Sequence, residues 1–191
     1  MSIKKKILIF IGILIICGII AALMGYWPVA FVNFRPITYS SFEKTYSAAN
    51  NLYLNNLKAY KEDSSLADSA DVQNELKRST LETLIENEVV DQELSKRYKS
   101  SDLSRLIQEK LDKTNVDSPQ IQKGSEILYG LSADDFKDII LTAKAKQEIM
   151  QGNLFGENQN YDSWLRQEKM NSKVIIFIPG FRWNNGEVEL K

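Results

Sequence analysis

Val29-Ala30-Phe31-Val32-Asn33-Phe34-Arg35-Pro36-Ile37-Thr38-Tyr39-Ser40-Ser41-Phe42-Glu43 carries the signals that decide how this chain folds. The β-branched and aromatic residues from Val29 to Phe34 read as a strand. Arg35-Pro36-Ile37-Thr38 is read as the turn that follows it. Ser40-Ser41-Phe42-Glu43 then has the spacing of a capping box, in which a hydroxyl and a carboxylate satisfy the opening amides of a helix. That helix is expected to run to about Lys61, with Phe42, Tyr46, Ala49, Tyr53, Leu57 and Tyr60 on one face.

Downstream, the pattern stays helical for more than a hundred residues. A polar break at residues 64–71 precedes a long helix from about Val72 to Tyr98, with Leu76, Leu81, Leu84, Ile85, Val89 and Leu94 on its apolar side. Ser101-Asp102, Ser118-Pro119 and Ser132 mark three further helix starts, and Pro119 suits a first helical position. A loop over residues 152–160 and a last helix from Tyr161 to Met170 complete the run. Lys173-Val174-Ile175-Ile176-Phe177-Ile178 is a second strand, stopped by Pro179-Gly180, and Asn185-Gly186 offers a tight turn before Val188 to Leu190. A lone strand leaves half its backbone groups unpaired, so the strand near Val29 is expected to pair with the one near Ile176. The fold class is therefore mainly α, with a small sheet that joins the two ends of the domain.

Working back toward the N-terminus, Lys4, Lys5 and Lys6 precede an uncharged apolar run from Ile7 to Met24. As a helix that run would be about 27 Å long, close to the hydrocarbon thickness of a bilayer. It is longer than the apolar region of a cleaved signal peptide and ends in Gly25-Tyr26-Trp27 without a small-x-small site. The expectation is a cytoplasmic tail at residues 1–6, an N-terminal transmembrane helix at 7–27 and an extracytoplasmic multi-helix domain at 28–191. The three lysines orient this single-pass anchor in the cell membrane, with Tyr26 and Trp27 at the headgroup layer. Cys17, the only cysteine, falls inside the run; Ile16 before it is too bulky for a lipidation site.

Composition excludes several chemistries. The chain has no histidine, which removes His-based acid–base catalysis, Ser-His and Cys-His nucleophiles and most zinc sites. A net charge of −1 gives no field that favours nucleic acid. Asp134, Asp135 and Asp138 sit where a helix dipole favours negative charge, which explains them without a metal. The expectation is a protein that is not an enzyme, with no catalytic or metal-binding residues, no cofactor and no small-molecule substrate.

Several segments resemble the SurA-like chaperone module shared by the SurA, PrsA and PpiD kinds of proteins. Val29-Ala30, Val32-Asn33, Ile37-Thr38 and Phe42 match the family's opening strand and helix entry, V-A-x-V-N-G-x-x-I-T. The segment from Leu81 to Val90 is similar to the family's second helix, and Tyr129-Gly130-Leu131-Ser132 through Phe136 to its G-x-S-x-x-x-F helix entry. Tyr161-Asp162-Ser163-Trp164-Leu165, running into Lys173 to Ile178, is similar to its last helix and returning strand. Phe34 departs from the family's glycine, and only a loop between Leu154 and Tyr161 stands where relatives insert a prolyl isomerase domain.

The resemblance implies an extracytoplasmic chaperone-like protein, without isomerase activity, that binds unfolded or newly translocated polypeptides. Expected partners are unfolded polypeptides, the membrane and the translocation machinery. The aromatic stripe Phe42, Tyr46, Tyr53, Leu57 and Tyr60 is the candidate client-binding surface, because tyrosine presents an apolar ring with a polar tip; ordinary core against the next helix is the competing reading. Trp164 and Trp183 are expected to pin terminal elements to the core. The alternative function is a scaffold or accessory protein that uses the same fold to bind one specific membrane partner.

Overall fold

The computed structural model describes residues 25, 27–115 and 118–191. Strands β1 (Pro28–Val32) and β2 (Arg35–Thr38) form a hairpin, and β3 (Val174–Ile176) pairs antiparallel with the other edge of β1. The sheet order is therefore β2-β1-β3. A second hairpin joins β4 (Phe181–Asn184) to β5 (Glu187–Leu190) through Asn185-Gly186. Between the sheets' two ends lie α1 (Tyr39–Ala59), a 3-10 turn (Ser64–Asp68), α2 (Ala70–Arg97) and α3 (Ser100–Lys113). Helix α4 (Pro119–Gly124) is prolonged by a π-helical turn, Ser125–Tyr129. Helix α5 runs as Ala133–Phe136, a π-helical turn Lys137–Leu141 and Thr142–Gly156, and α6 is Tyr161–Asn171.

The hairpin tip is Asn33-Phe34, two residues before the expected turn, and Arg35–Thr38 is a strand. Both tip residues are left-handed, with φ of +48° and +71°, which is the backbone of a tight two-residue hairpin. Asparagine tolerates this conformation, and Asn33 is also stapled in place. Its amide nitrogen donates to Gln92 Oε1 at 3.0 Å and Ser172 Oγ at 3.3 Å, while its Oδ1 accepts from the Lys173 backbone N–H at 2.9 Å. Phe34 has no such compensation: it is 84% exposed. Pro36 fits β2 because β2 is an edge, where a missing N–H breaks no ladder.

Helix α1 starts at Tyr39, earlier than the capping box would place it. Thr38 Oγ1 accepts the Ser41 N–H at 3.2 Å, and Glu43 instead accepts from the Tyr39 hydroxyl. Ser118 and Ser132 cap as their spacing implies, whereas Lys99 opens α3 without a side-chain bond. Helix α5 extends through Gly152 to Gly156, so the expected loop shrinks to residues 157–160.

Two apolar cores share α2. One joins the inner face of the sheet (Ala30, Val32) to Phe42, Leu81, Ile85, Val89 and the β4–β5 hairpin; the other joins Val90 and Leu94 to Leu103, Ile149, Met150 and Leu154. Trp164 and Leu165 of α6 pack against both, and Trp183 packs against the first. Lys169 fixes α6 to α2 through Glu82 at 2.7 Å and Glu86 at 2.6 Å.

The expectation of a fold with a transmembrane helix is corrected. Among the described residues no helix is long and apolar enough to cross a membrane: of the two long ones, α1 is rich in serine and asparagine, and α2 carries charged side chains along its length. The run from Ile7 to Met24 lies outside the described residues. Trp27, expected at the headgroup layer, packs on the domain: its ring lies 5.2 Å from that of Tyr39, and its carbonyl accepts the Tyr39 N–H at 2.9 Å.

Adjacent tip residues should respond in opposite directions. Asn33→Ala removes three side-chain hydrogen bonds and is expected to cost about 1–2 kcal/mol of stability. Phe34→Gly relieves a left-handed strain of about 1–2 kcal/mol, partly offset by backbone entropy, and should raise the urea midpoint. Denaturant titrations followed by circular dichroism read both.

Candidate functional site

The amino-terminal half of α1, the start of β1 and the turn after β3 enclose an aromatic cleft. Tyr39, Phe42 and Tyr46 fall at helical spacing on one face of α1 and form one wall. Trp27, Phe177 and Phe181 face them, and Asn74 and Lys77 of α2 close the side. The volume is about 680 Å³, enough for a few side chains of an extended segment. Phe177 is held there by its own backbone, whose N–H donates to Val29 O at 2.8 Å, and by an edge-on contact with Phe31 at 5.8 Å.

Each wall residue is fixed by its neighbours. Phe42 is 5% exposed and stacks on Tyr46 with ring centres 5.9 Å apart, so it forms the floor of the cleft. The Tyr46 hydroxyl donates to Gln73 Oε1, and Gln73 in turn donates to Asn50 Oδ1 at 3.1 Å and Ala67 O at 2.7 Å. Burial, then the charge of Glu43, raises the Tyr46 pKa. The hydrogen bond to Glu43 does the same for Tyr39. Both tyrosines are therefore neutral donors at physiological pH. Lys77 Nζ lies 5.9 Å from the centre of the Tyr46 ring.

Of the stripe expected to bind clients, the structure brings only Phe42 and Tyr46 to this cleft. A helix of 21 residues is about 30 Å long, so a stripe along all of it cannot converge on one pocket. The carboxyl half of α1 serves another neighbour: Asn51 Nδ2 donates to Tyr129 O at 3.1 Å, and Asn55 Nδ2 to Ile127 O at 2.7 Å, holding the π-helical end of α4. Leu57 is buried, Tyr53 half-buried, and Tyr60 exposed just past the helix end. Tyr39, Phe177, Phe181, Asn74 and Lys77 were not singled out by sequence, and Trp27 was assigned to the headgroup layer instead. The alternation of the returning strand did carry a signal, since Ile175 and Phe177 share a face.

A second, polar cleft of about 530 Å³ lies between the start of α1, α2 and the π-helical turn of α5. The two lysines that line it are engaged, Lys44 with Asp135 at 2.6 Å and Lys146 with Asp91, and the neighbouring Arg35 pairs with Asp91 at 3.4 Å and Glu88 at 3.6 Å. The opening amides of α1 are also satisfied, Tyr39 N–H by Trp27 O, Ser40 N–H by Gly25 O and Ser41 N–H by Thr38 Oγ1. Asp135, one of the acidic trio, is thus an ion-pair partner, and among the described residues no three His, Cys, Asp or Glu side chains converge as a metal site.

With this geometry in hand, no protein-family model matches the chain, and neither a curated protein nor a solved structure gives a match.

Glu88 yields a pH prediction. Burial raises its pKa, reinforced by the like charge of Asp91 and opposed by Gln92 and Arg35. A raised pKa means the folded state holds the proton more tightly, so stability from this group is present below the unfolded value and lost as pH rises through the folded one. Glu88→Gln should therefore be more stable than the parent at pH 7 and indistinguishable from it near pH 3.5, as read by urea unfolding at both.

Proposed function

We propose that this protein binds extended, unfolded polypeptide segments and performs no chemistry on them, as a chaperone-like module of the SurA kind. The observation that carries the reading is the continuity of the aromatic cleft with an uncovered apolar sheet face. Pro36, Phe31 and Ile175 form one row across β2, β1 and β3, and Phe177 extends it toward Trp27. Ile175, Trp27 and Phe177 are each more than half exposed. Exposed apolar surface that is contiguous marks an interaction site, whereas scattered residues do not. Aromatic rings and aliphatic chains accept many client sequences, since they ask only for apolar area. The ordered resemblance of the chain's segments to that module supports the same reading.

A second reading rests on Phe34. A phenylalanine held in a left-handed turn and almost fully exposed is a stiff aromatic projection, and such strain persists where function selects for it. That geometry suits a preformed pocket on one folded partner, the scaffold role. Breadth separates the two: photo-crosslinking from Phe177 yields a changing set of unfolded clients under the first reading, and one or two stoichiometric proteins from Phe34 under the second.

The first reading is tested directly. The chain at equimolar ratio should slow aggregation of a chemically unfolded model protein. Ile175→Ser with Phe177→Ser should weaken that effect and peptide binding by about tenfold or more, the usual consequence of removing apolar anchors. Circular dichroism should be unchanged because both side chains lie on the solvent side. Undiminished client binding by the double variant would sink the proposal.

A further inference from the structure

Asn74 and Lys77 stand three residues apart on α2, on one face, and both open into the aromatic cleft. Neither has a polar partner in the fold: Asn74 makes no side-chain hydrogen bond to a described residue, and Lys77 has no carboxylate within ion-pair reach among them. Other lysines without an ion-pair partner, such as Lys58, Lys99, Lys113 and Lys173, are exposed, whereas Lys77 is half-buried. Lys44, Lys146, Arg35 and Lys169 are each paired with one or two carboxylates. Glu43, on the facing wall, accepts from the Tyr39 hydroxyl.

Lys77 is half-buried with its ammonium near an aromatic ring, so a ligand carboxylate that reaches it meets a charge partner set in apolar surroundings. A carboxamide beside it offers one donor and one acceptor direction, which matches a main-chain peptide group. We infer that the cleft selects extended apolar segments bearing an acidic side chain next to the residue that fills it, with the carboxylate on Lys77 and the segment's backbone on Asn74. The inference rests on the polypeptide-binding reading and names its preferred client. A lipid or phosphate headgroup is the poorer match, because anionic surfaces are met by clusters of cations and this cleft presents one.

The test uses the full 191-residue chain and fluorescent, C-terminally amidated peptides with a common aromatic core flanked by Asp, Asn or Lys. At low ionic strength the Asp peptide should bind about fivefold tighter than the Asn peptide, and the Lys peptide more weakly than either. Lys77→Met keeps an apolar stem on Tyr46 and should bring the Asp-to-Asn affinity ratio to about one. Equal binding of Asp and Asn peptides by the parent overturns the inference, as does a preference that survives Lys77→Met. In each of those cases the affinity for the Asn peptide still supports polypeptide binding; if no peptide binds, both readings fall.

Discussion

Strand β1 is hydrogen-bonded along both edges, and the rest of the domain depends on that double pairing. One neighbour, β2, comes from a two-residue turn; the other, β3, returns from the far end of the helical run. Closing a loop of that length costs roughly 4 kcal/mol in chain entropy before any contact offsets it. Ala30 and Val32, fully buried beneath the sheet, contribute the apolar burial that compensates. Asn33 completes the closure by tying the hairpin tip to α2 through Gln92 and to the chain entering β3 through Ser172 and Lys173.

The same pairing explains why an aromatic cleft exists. With the inner sheet face filled by Phe42, Leu81 and Ile85, the alternation of β1 and β3 sends Phe31 and Ile175 to the other side. The turn after β3 then brings Phe177 and Phe181 against the first two turns of α1. In the cleft on the other flank of α1, both lysines already have a carboxylate. The aromatic cleft is left with apolar area and one lysine, Lys77, that has no carboxylate partner among the described residues.

Much of this could be read from side-chain spacing. The caps at Ser118 and Ser132, the apolar face of α2 and both strands that meet in the sheet are local signals, and local physics sets them. What sequence hid was decided by competition. The tight turn at Asn33-Phe34 lacks the glycine that usually announces it, because Asn33 is held by tertiary bonds instead. Glu43 looks like half of a capping box, yet Tyr39 engages it and Thr38 caps the helix. Gly152 suggested a loop, but burial of Leu154 in the second core outweighs a glycine penalty of about 1 kcal/mol. Of the Phe42–Tyr60 stripe, Phe42 and Tyr46 line the cleft, Leu57 is buried and Tyr60 is exposed past the helix end, because a stripe along 21 residues cannot meet one pocket. Hydropathy alone carried the membrane span, and Trp27 proved to be part of the domain.

The placement of β1 at the centre of the sheet also has a consequence for biosynthesis. A ribosome delivers Pro28–Val32 first and Val174–Ile176 more than 140 residues later. At about 5–20 residues per second, one edge of the nascent β1 waits on the order of ten seconds or more for its partner. During that interval Phe31 and Phe34 accompany an unpaired strand edge, the kind of surface that invites wrong pairing. Until β3 emerges, the central strand of the sheet thus has only one of its two neighbours.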